Sequence, residues 1–404
     1  MNALKAVDGG VTAPRGFLAA GVAAGIKPDS TKRDCALIVS EAPAAVAGVF
    51  TTNVMKAPPV AWNQEVCRHG KARVVLINSG NANACTGKRG EQDARAMAEL
   101  VAHATETPLG EVCICSTGVI GVPLPMANVE RGVKACAASL SIEGSRYAAE
   151  AIMTTDTVPK ERAVEVPLVS GTVRIGAIAK GSGMIAPNMA TMIAVITTDA
   201  TLEPGPLDDA LRRAVGVSFN RICVDNDMST SDTVLCFANG RSGLAPLQPG
   251  SPDLDTFERA LTGLCQDLAQ ALVRDGEGAT KFVEIEVSGT ASDEEAGCIA
   301  RAIGQSQLCK TAFFGGDPNW GRFACAAGYA GVAFDPDRLA IWLDDLLVAH
   351  GGRAAEYEEH DAVAVMTRPE FRVRVEVGDG PGNAVFWTSD LSHDYVSINA
   401  DYRS

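Results

Sequence analysis

Apolar residues in this chain recur at every third or fourth position in one long run and at every second position, or without a break, in many short ones. Leu254, Phe257, Leu261, Leu264, Leu268 and Leu272 step by three and four, which predicts a helix over 254–274 with one continuous apolar stripe that must pack on a sheet or another helix. Weaker helical spacing covers 91–104, 127–139, 207–215 and 294–303. Short runs rich in β-branched residues predict strands over 36–40, 46–51, 73–78, 112–116, 163–169, 173–179, 192–198, 233–238, 281–288, 340–343, 371–377 and 384–389. Strands alternating with helices, punctuated by glycine and free of internal repeats, give an α/β chain. At the end of the chain, Val396, Ile398 and Tyr402 are spaced by even steps and predict an extended tail that docks by one side.

Composition narrows the class. The 404 residues, 47% hydrophobic and 21% charged, are enough for two sizeable cores. A formal net charge of -14 argues against a nucleic-acid partner. The most apolar early stretch, Phe17 to Ile26, has about half the length needed to cross a bilayer. Residues 1–10 lack the apolar stretch of a secretory signal, so a cytoplasmic protein with reduced cysteines is expected. Of the twelve cysteines only Cys113 and Cys115 are close; two apart on one strand face, with no second pair nearby, they read as buried thiols. The five histidines show no catalytic or metal spacing, so no metal is expected.

The candidate chemistry lies between Lys180 and Asp199, where a glycine-loosened turn (Gly181, Gly183, Pro187) runs into an apolar strand at Met192. Thr191 stands at that junction. A threonine hydroxyl is a poor nucleophile, but cleavage of the Ala190–Thr191 bond would leave a free α-amine beside its own Oγ. With a reference pKa of roughly 7.7 to 8.0, that amine is a built-in base near neutrality. A competing reading takes Gly181-Ser-Gly-Met-Ile-Ala186 as a dinucleotide-binding loop, which needs a helix to open on it; Pro187 and a strand follow instead.

Seven segments in order, Asn78-Ser-Gly-Asn-Ala-Asn-Ala84, Ser116-Thr-Gly-Val-Ile-Gly121, Met153-Thr-Thr-Asp-Thr157, Lys180 to Asp199, Asp225-Asn-Asp-Met-Ser229, Gly315-Gly-Asp-Pro-Asn-Trp-Gly-Arg322 and Tyr395 to Ser404, resemble the ornithine acetyltransferase (glutamate N-acetyltransferase) family over nearly the full length. The resemblance implies a layered α/β, N-terminal-nucleophile-like fold of two interlocked fragments. Self-cleavage would give 1–190, with the oxyanion hole and part of the substrate site, and 191–404, opening on the nucleophile Thr191. It implies an oxyanion hole from Thr117 and Gly118, and substrate contacts from Thr154, Lys180, Thr191, Glu277, Asn399 and Ser404. It further implies N-acetylornithine and glutamate as substrates in arginine biosynthesis, no cofactor, and two of each fragment in the assembly. Use of acetyl-CoA as a second donor is left open.

Read alone, these residues are less pointed. Thr117 and Gly118 could be a strand-to-loop turn, Lys180 a solvated strand-end lysine, and Thr154, Asn399 and Ser404 solvated polar residues. Glu277 is more telling, because it lies just past the end of the long helix, where the helix dipole disfavours an acid. Two other functions compete: a self-cleaving aminopeptidase or amidase with water as acceptor, and an uncleaved, non-catalytic nucleotide-binding protein.

Overall fold

The run after Met192 is apolar without alternation because both of its faces are covered: every residue from Ile193 to Thr198 is buried. The computed structural model describes residues 5–28, 30–186 and 192–401. Its strands in chain order are β1 (Lys5–Ala6), β2 (Phe17–Val22), β3 (Cys35–Phe50), β4 (Lys71–Asn81), β5 (Val112–Val119), β6 (Lys160–Leu168), β7 (Gly171–Lys180) and β8 (Ile193–Thr198), followed by β9 (Ile222–Cys223), β10 (Thr233–Ala238), β11 (Phe282–Gly289), β12 (Ala340–Leu343), β13 (Leu346–His350), β14 (Arg353–Ala354), β15 (Glu370–Glu376) and β16 (Gly380–Ser389). Among the described residues they form a nine-stranded sheet ordered β1-β6-β7-β8-β10-β3-β4-β5, with β2 also on β3, and a seven-stranded sheet ordered β14-β13-β12-β15-β11-β16-β9.

In the first sheet β8 lies between β7, antiparallel, and β10, parallel. A parallel neighbour needs a crossover, and the helix Pro204–Gly216 supplies it. Strand β8 divides its side chains between two cores. Ala194 and Ile196 pack with Leu261, Leu264 and Leu268 of the long helix, and Ile193 and Val195 with Ile38, Val75 and Phe237. Phe282 and Trp387, from the second sheet, join the first of these cores, so one helix serves both sheets.

That helix, Pro252–Arg274, starts where the chemistry of its first turn dictates. Ser251 Oγ accepts the Leu254 N–H at 3.2 Å, Pro252 stands at the first position, and Asp253 and Asp255 face the positive end of the dipole. The two strands expected over 36–40 and 46–51 are one, β3. It pairs with β2 as far as Ser40 and with β10 from Ala45. Its ladder with β4 is likewise interrupted between Val39 and Ala44, so Pro43, lacking an N–H, falls where no partner needs one.

The extended tail is a correction. Residues His393–Asp401 are helical. Ser392 Oγ accepts the Tyr395 N–H at 3.3 Å as an N-cap does, and Asp394 lies in the first turn. On a helix, residues two apart diverge, and Val396 and Ile398 are accordingly exposed. Cys113 and Cys115 do face one buried core, where burial pushes the Cys115 thiol up to about 12. No helix of the described residues is long and apolar enough to cross a membrane.

Leu261 is wholly buried under the first sheet. Leu261→Ala should therefore cost about 2–5 kcal/mol in denaturant unfolding. A loss below about 1 kcal/mol would contradict this packing.

Candidate active site

Strand β5 ends at the site, and the sequence there sets the backbone. Gly118 has φ +130°, and a Cβ on it would lie 2.4 Å from the Gly80 carbonyl carbon in the neighbouring β4. Only glycine fits this approach. Thr117, immediately before it, is buried. From the end of β7, Lys180 Nζ donates to Thr154 Oγ1 at 2.8 Å and to Thr117 Oγ1 at 3.4 Å. An ammonium cannot accept, so the Thr117 hydroxyl must be the acceptor in this contact, and its own proton is free for another partner.

Lys180 is not a solvated strand-end lysine: it is 2% exposed, and burial pushes its pKa below the usual lysine value, opposed chiefly by Asp156. Burial would also raise the Asp156 carboxyl, but Lys180, Lys160 and hydrogen bonds from Lys160 and Gly181 outweigh it and bring it down to about 2. Asp156 Oδ1 accepts from Gly181 N at 2.7 Å and from Lys160 Nζ at 2.8 Å, while Oδ2 accepts from Thr154 N at 3.0 Å. Lys160 also pairs with Asp275, at the end of the long helix, at 2.5 Å. One buried network thus ties β6, β7 and the Thr154 turn to that helix end.

Just beyond Asp275, the Glu277 N–H donates to Ser182 O at 2.8 Å. A Cβ on Gly183 would fall 2.3 Å from the Glu277 carboxyl carbon, so this glycine leaves the room the carboxylate occupies. Asn399, on the C-terminal helix, donates to Glu277 Oε2 at 2.8 Å. Thr117, Gly118, Thr154, Gly183, Ser229, Thr230, Ser231, Glu277 and Asn399 are among the residues lining one cavity of about 80 Å³. The structure therefore brings together Thr117, Gly118, Thr154, Lys180, Glu277 and Asn399, from five separate stretches of chain. Ala190, Thr191 and Ser404 lie outside the described residues.

The chain on either side of Thr191 is tightly held. Asp225 accepts the N–H groups of Met184 and Ile185 at 2.6 and 2.8 Å, and burial raises its carboxyl to about 6. With Gly181 N given to Asp156 and these two to Asp225, three amides of the 181–186 loop are taken, which leaves a poor cradle for a pyrophosphate. Past the junction, Met192 N donates to Asp232 Oδ1 at 3.1 Å and Met192 O accepts from Thr233 N at 3.1 Å. Asp156, Asp225 and Asp232 were not assigned roles from sequence. For Asp156 a signal exists, an acid four residues before Lys160 in a quoted motif, whereas Asp232 gives none.

The ArgJ family model matches residues 18–404. The chain belongs to the ArgJ family. The arginine biosynthesis bifunctional protein ArgJ of Symbiobacterium thermophilum is 48% identical over 397 residues, covering 98% of this chain and 99% of that one. Its counterpart in Geobacter sulfurreducens is 48% identical over 391 residues, covering 96% and 99%. Among solved structures, the bifunctional protein argJ of Bacillus halodurans is 40% identical with a TM-score of 0.49, covering 51% of this chain and 97% of that one. Ornithine acetyltransferase of Mycobacterium tuberculosis, solved with ornithine, is 48% identical with a TM-score of 0.43, covering 45% and 97%.

The buried network also makes a pH prediction for this ArgJ chain. Asp156 has a folded pKa of about 2, below its ordinary 3.8, so the stability it contributes is complete above about pH 4 and lost as pH falls through 2. The shift corresponds to about 2 kcal/mol. The stability gap between wild type and Asp156→Asn, measured by denaturant unfolding, should shrink across that window; a gap that stays constant down to pH 2 would contradict the assignment.

Proposed function

We propose that the chain is a ping-pong acetyltransferase of arginine biosynthesis that carries the acetyl group of N-acetylornithine on Thr191 and delivers it to glutamate. The observation that supports this reading best is the meeting of the Thr117 hydroxyl and the Glu277 carboxylate on one cavity, with the buried Lys180 ammonium bonded to two of its lining residues, Thr117 and Thr154, in an ArgJ family member. Thr191 Oγ attacks the acetyl carbonyl, and its proton passes to the α-amine. The Thr117 hydroxyl, its oxygen already occupied by Lys180, donates to the oxyanion together with the Gly118 N–H. Lys180 has a third donor beyond those given to Thr154 and Thr117, and it binds the substrate α-carboxylate. Glu277, held by Asn399, takes the cationic side chain of ornithine. Thr154 and Ser404 complete the contacts.

Ornithine leaves with the proton, and the amino group of glutamate then takes the acetyl group, giving N-acetylglutamate. Acetyl-CoA serves as a second donor in the same acyl-enzyme scheme, in keeping with the bifunctional character of the relatives. The sheet favours fragments that stay together after a cut at Ala190–Thr191. Strands β8 and β10 are inserted between β7 and β3, so the 1–190 piece cannot form its sheet without the 191–404 piece.

Two outcomes test this. The purified wild type should run on a denaturing gel as 1–190 and 191–404, and Thr191→Ala should stay whole and inactive; a fully active, uncleaved wild type would refute it. Thr117→Ala should slow acetyl transfer on the order of 10² to 10³-fold, as loss of an oxyanion donor does. Unchanged turnover would remove Thr117 from the site.

A further inference from the structure

The C-terminal helix, His393–Asp401, brings Asn399 to Glu277, yet none of its nine residues is buried. Apolar packing therefore does not hold it, and an isolated helix of that length is marginal in water. What holds it lies at its start. Ser392 is 5% exposed, and its Oγ donates to Gly278 O at 2.6 Å while accepting the Tyr395 N–H at 3.3 Å. One hydroxyl thus caps the helix and ties it to the residue after Glu277. A Cβ on Gly278 would lie 2.4 Å from Tyr395 N, so the first turn sits directly on that glycine. Two further contacts belong to the same turn. The His393 ring meets Phe314 edge to face at 5.4 Å, and the Tyr395 phenol hydrogen-bonds the Asp225 carboxylate.

The loop that receives the helix is itself fixed. On one side the Glu277 N–H is given to Ser182 O. On the other, the buried Asp390 accepts Thr280 N at 2.8 Å and Lys281 N at 3.0 Å. From this footing the helix runs one turn beyond Tyr395 to Asn399, whose Nδ2 donates to Tyr395 O at 3.1 Å as well as to Glu277 Oε2 at 2.8 Å.

We infer that Ser392 is a positioning residue for the Glu277–Asn399 pair: through Gly278 and the helix start it sets where Asn399 reaches, and so how the Glu277 carboxylate meets a cationic side chain. The inference rests on the proposed role of Glu277 as partner of the ornithine ammonium. Without the hydroxyl the helix loses its cap and Gly278 O loses its donor. The first turn frays, Asn399 leaves Glu277, and the carboxylate turns toward water. A carboxylate in place for only part of the time binds the ammonium more weakly by that fraction. A substrate without the ammonium makes no use of the carboxylate and escapes this loss. Ser392 therefore acts on the choice of donor and not on the chemical step.

Wild type and Ser392→Ala are compared with two donors and glutamate as acceptor: N-acetylornithine, and N-acetylnorvaline, which has the same carbon chain without the terminal amine. KM for N-acetylornithine should rise about tenfold with kcat little changed, as a lost cap and hydrogen bond imply, while both constants for N-acetylnorvaline stay at their wild-type values. In a Glu277→Gln background the same substitution should add nothing, because the two residues act as one unit. An unchanged preference between the donors, equal losses with both, or a full further loss in the Glu277→Gln background would each overturn the inference. A wild type that uses both donors equally well would instead refute the role proposed for Glu277. If Ser392→Ala does not fold, hydrogen exchange of the wild type decides. Saturating ornithine should slow the amides of 277–279 and 395–401 together; exchange that is unchanged, or slowed in one segment alone, would overturn the inference.

Discussion

The placement of β8 in the middle of a sheet is the constraint on which the rest of the site depends. Hydrogen bonded on both edges, with Ile193 opposite Lys180 on one side and Thr233 on the other, it fixes where the chain after Thr191 begins. The same pairing sets Lys180 at the last rung of β7, so the register of one ladder brings the buried ammonium to the junction. A one-residue slip would turn every side chain of β8 to the other core. Two well-filled cores, one under the long helix, prevent it.

Electrostatics follows from that geometry. Lys180 and Lys160 are both 2% exposed, and two ammonium groups in such a setting need acids. Asp156 and Asp275 answer Lys160, and Asp156 and Asp232 stand near Lys180. The charges are not cancelled pair by pair, and Lys180 keeps one hydrogen-bond donor beyond those given to Thr154 and Thr117. Hydrogen bonds then set polarity: because Lys180 can only donate, Thr117 presents its proton outward. Stability and function draw on the same network, through the helix end that carries Asp275 and, two residues on, Glu277.

Much of the fold was legible where periodicity was long or the strand fully buried. The helix over 254–274 and the strands over 233–238 and 340–343 appear as read. The helix Pro58–His69 has no counterpart in the sequence reading; its two prolines stand in its first turn, where no N–H is needed. The tail failed: even spacing over a few residues fits a strand, but the capping serine at 392 decides for a helix. In the site, Thr117, Gly118, Thr154, Lys180, Glu277 and Asn399 could be named through the family resemblance. Their meeting, and the burial of Lys180, come from contacts between residues far apart in sequence. Asp232 gives no signal in the sequence for the same reason, since it meets Met192 from a position forty residues away.

The central claim is that acetyl transfer proceeds through a covalent intermediate on one residue. Enzyme mixed with N-acetylornithine in the absence of glutamate, denatured at once and digested, can be read by mass spectrometry for the site of acetylation. The account predicts a single acetyl group, on the peptide that begins at Thr191, removed when glutamate is added before denaturation. Turnover with no acetylated protein at any time, or a stable acetyl group on another residue that glutamate does not remove, would contradict it.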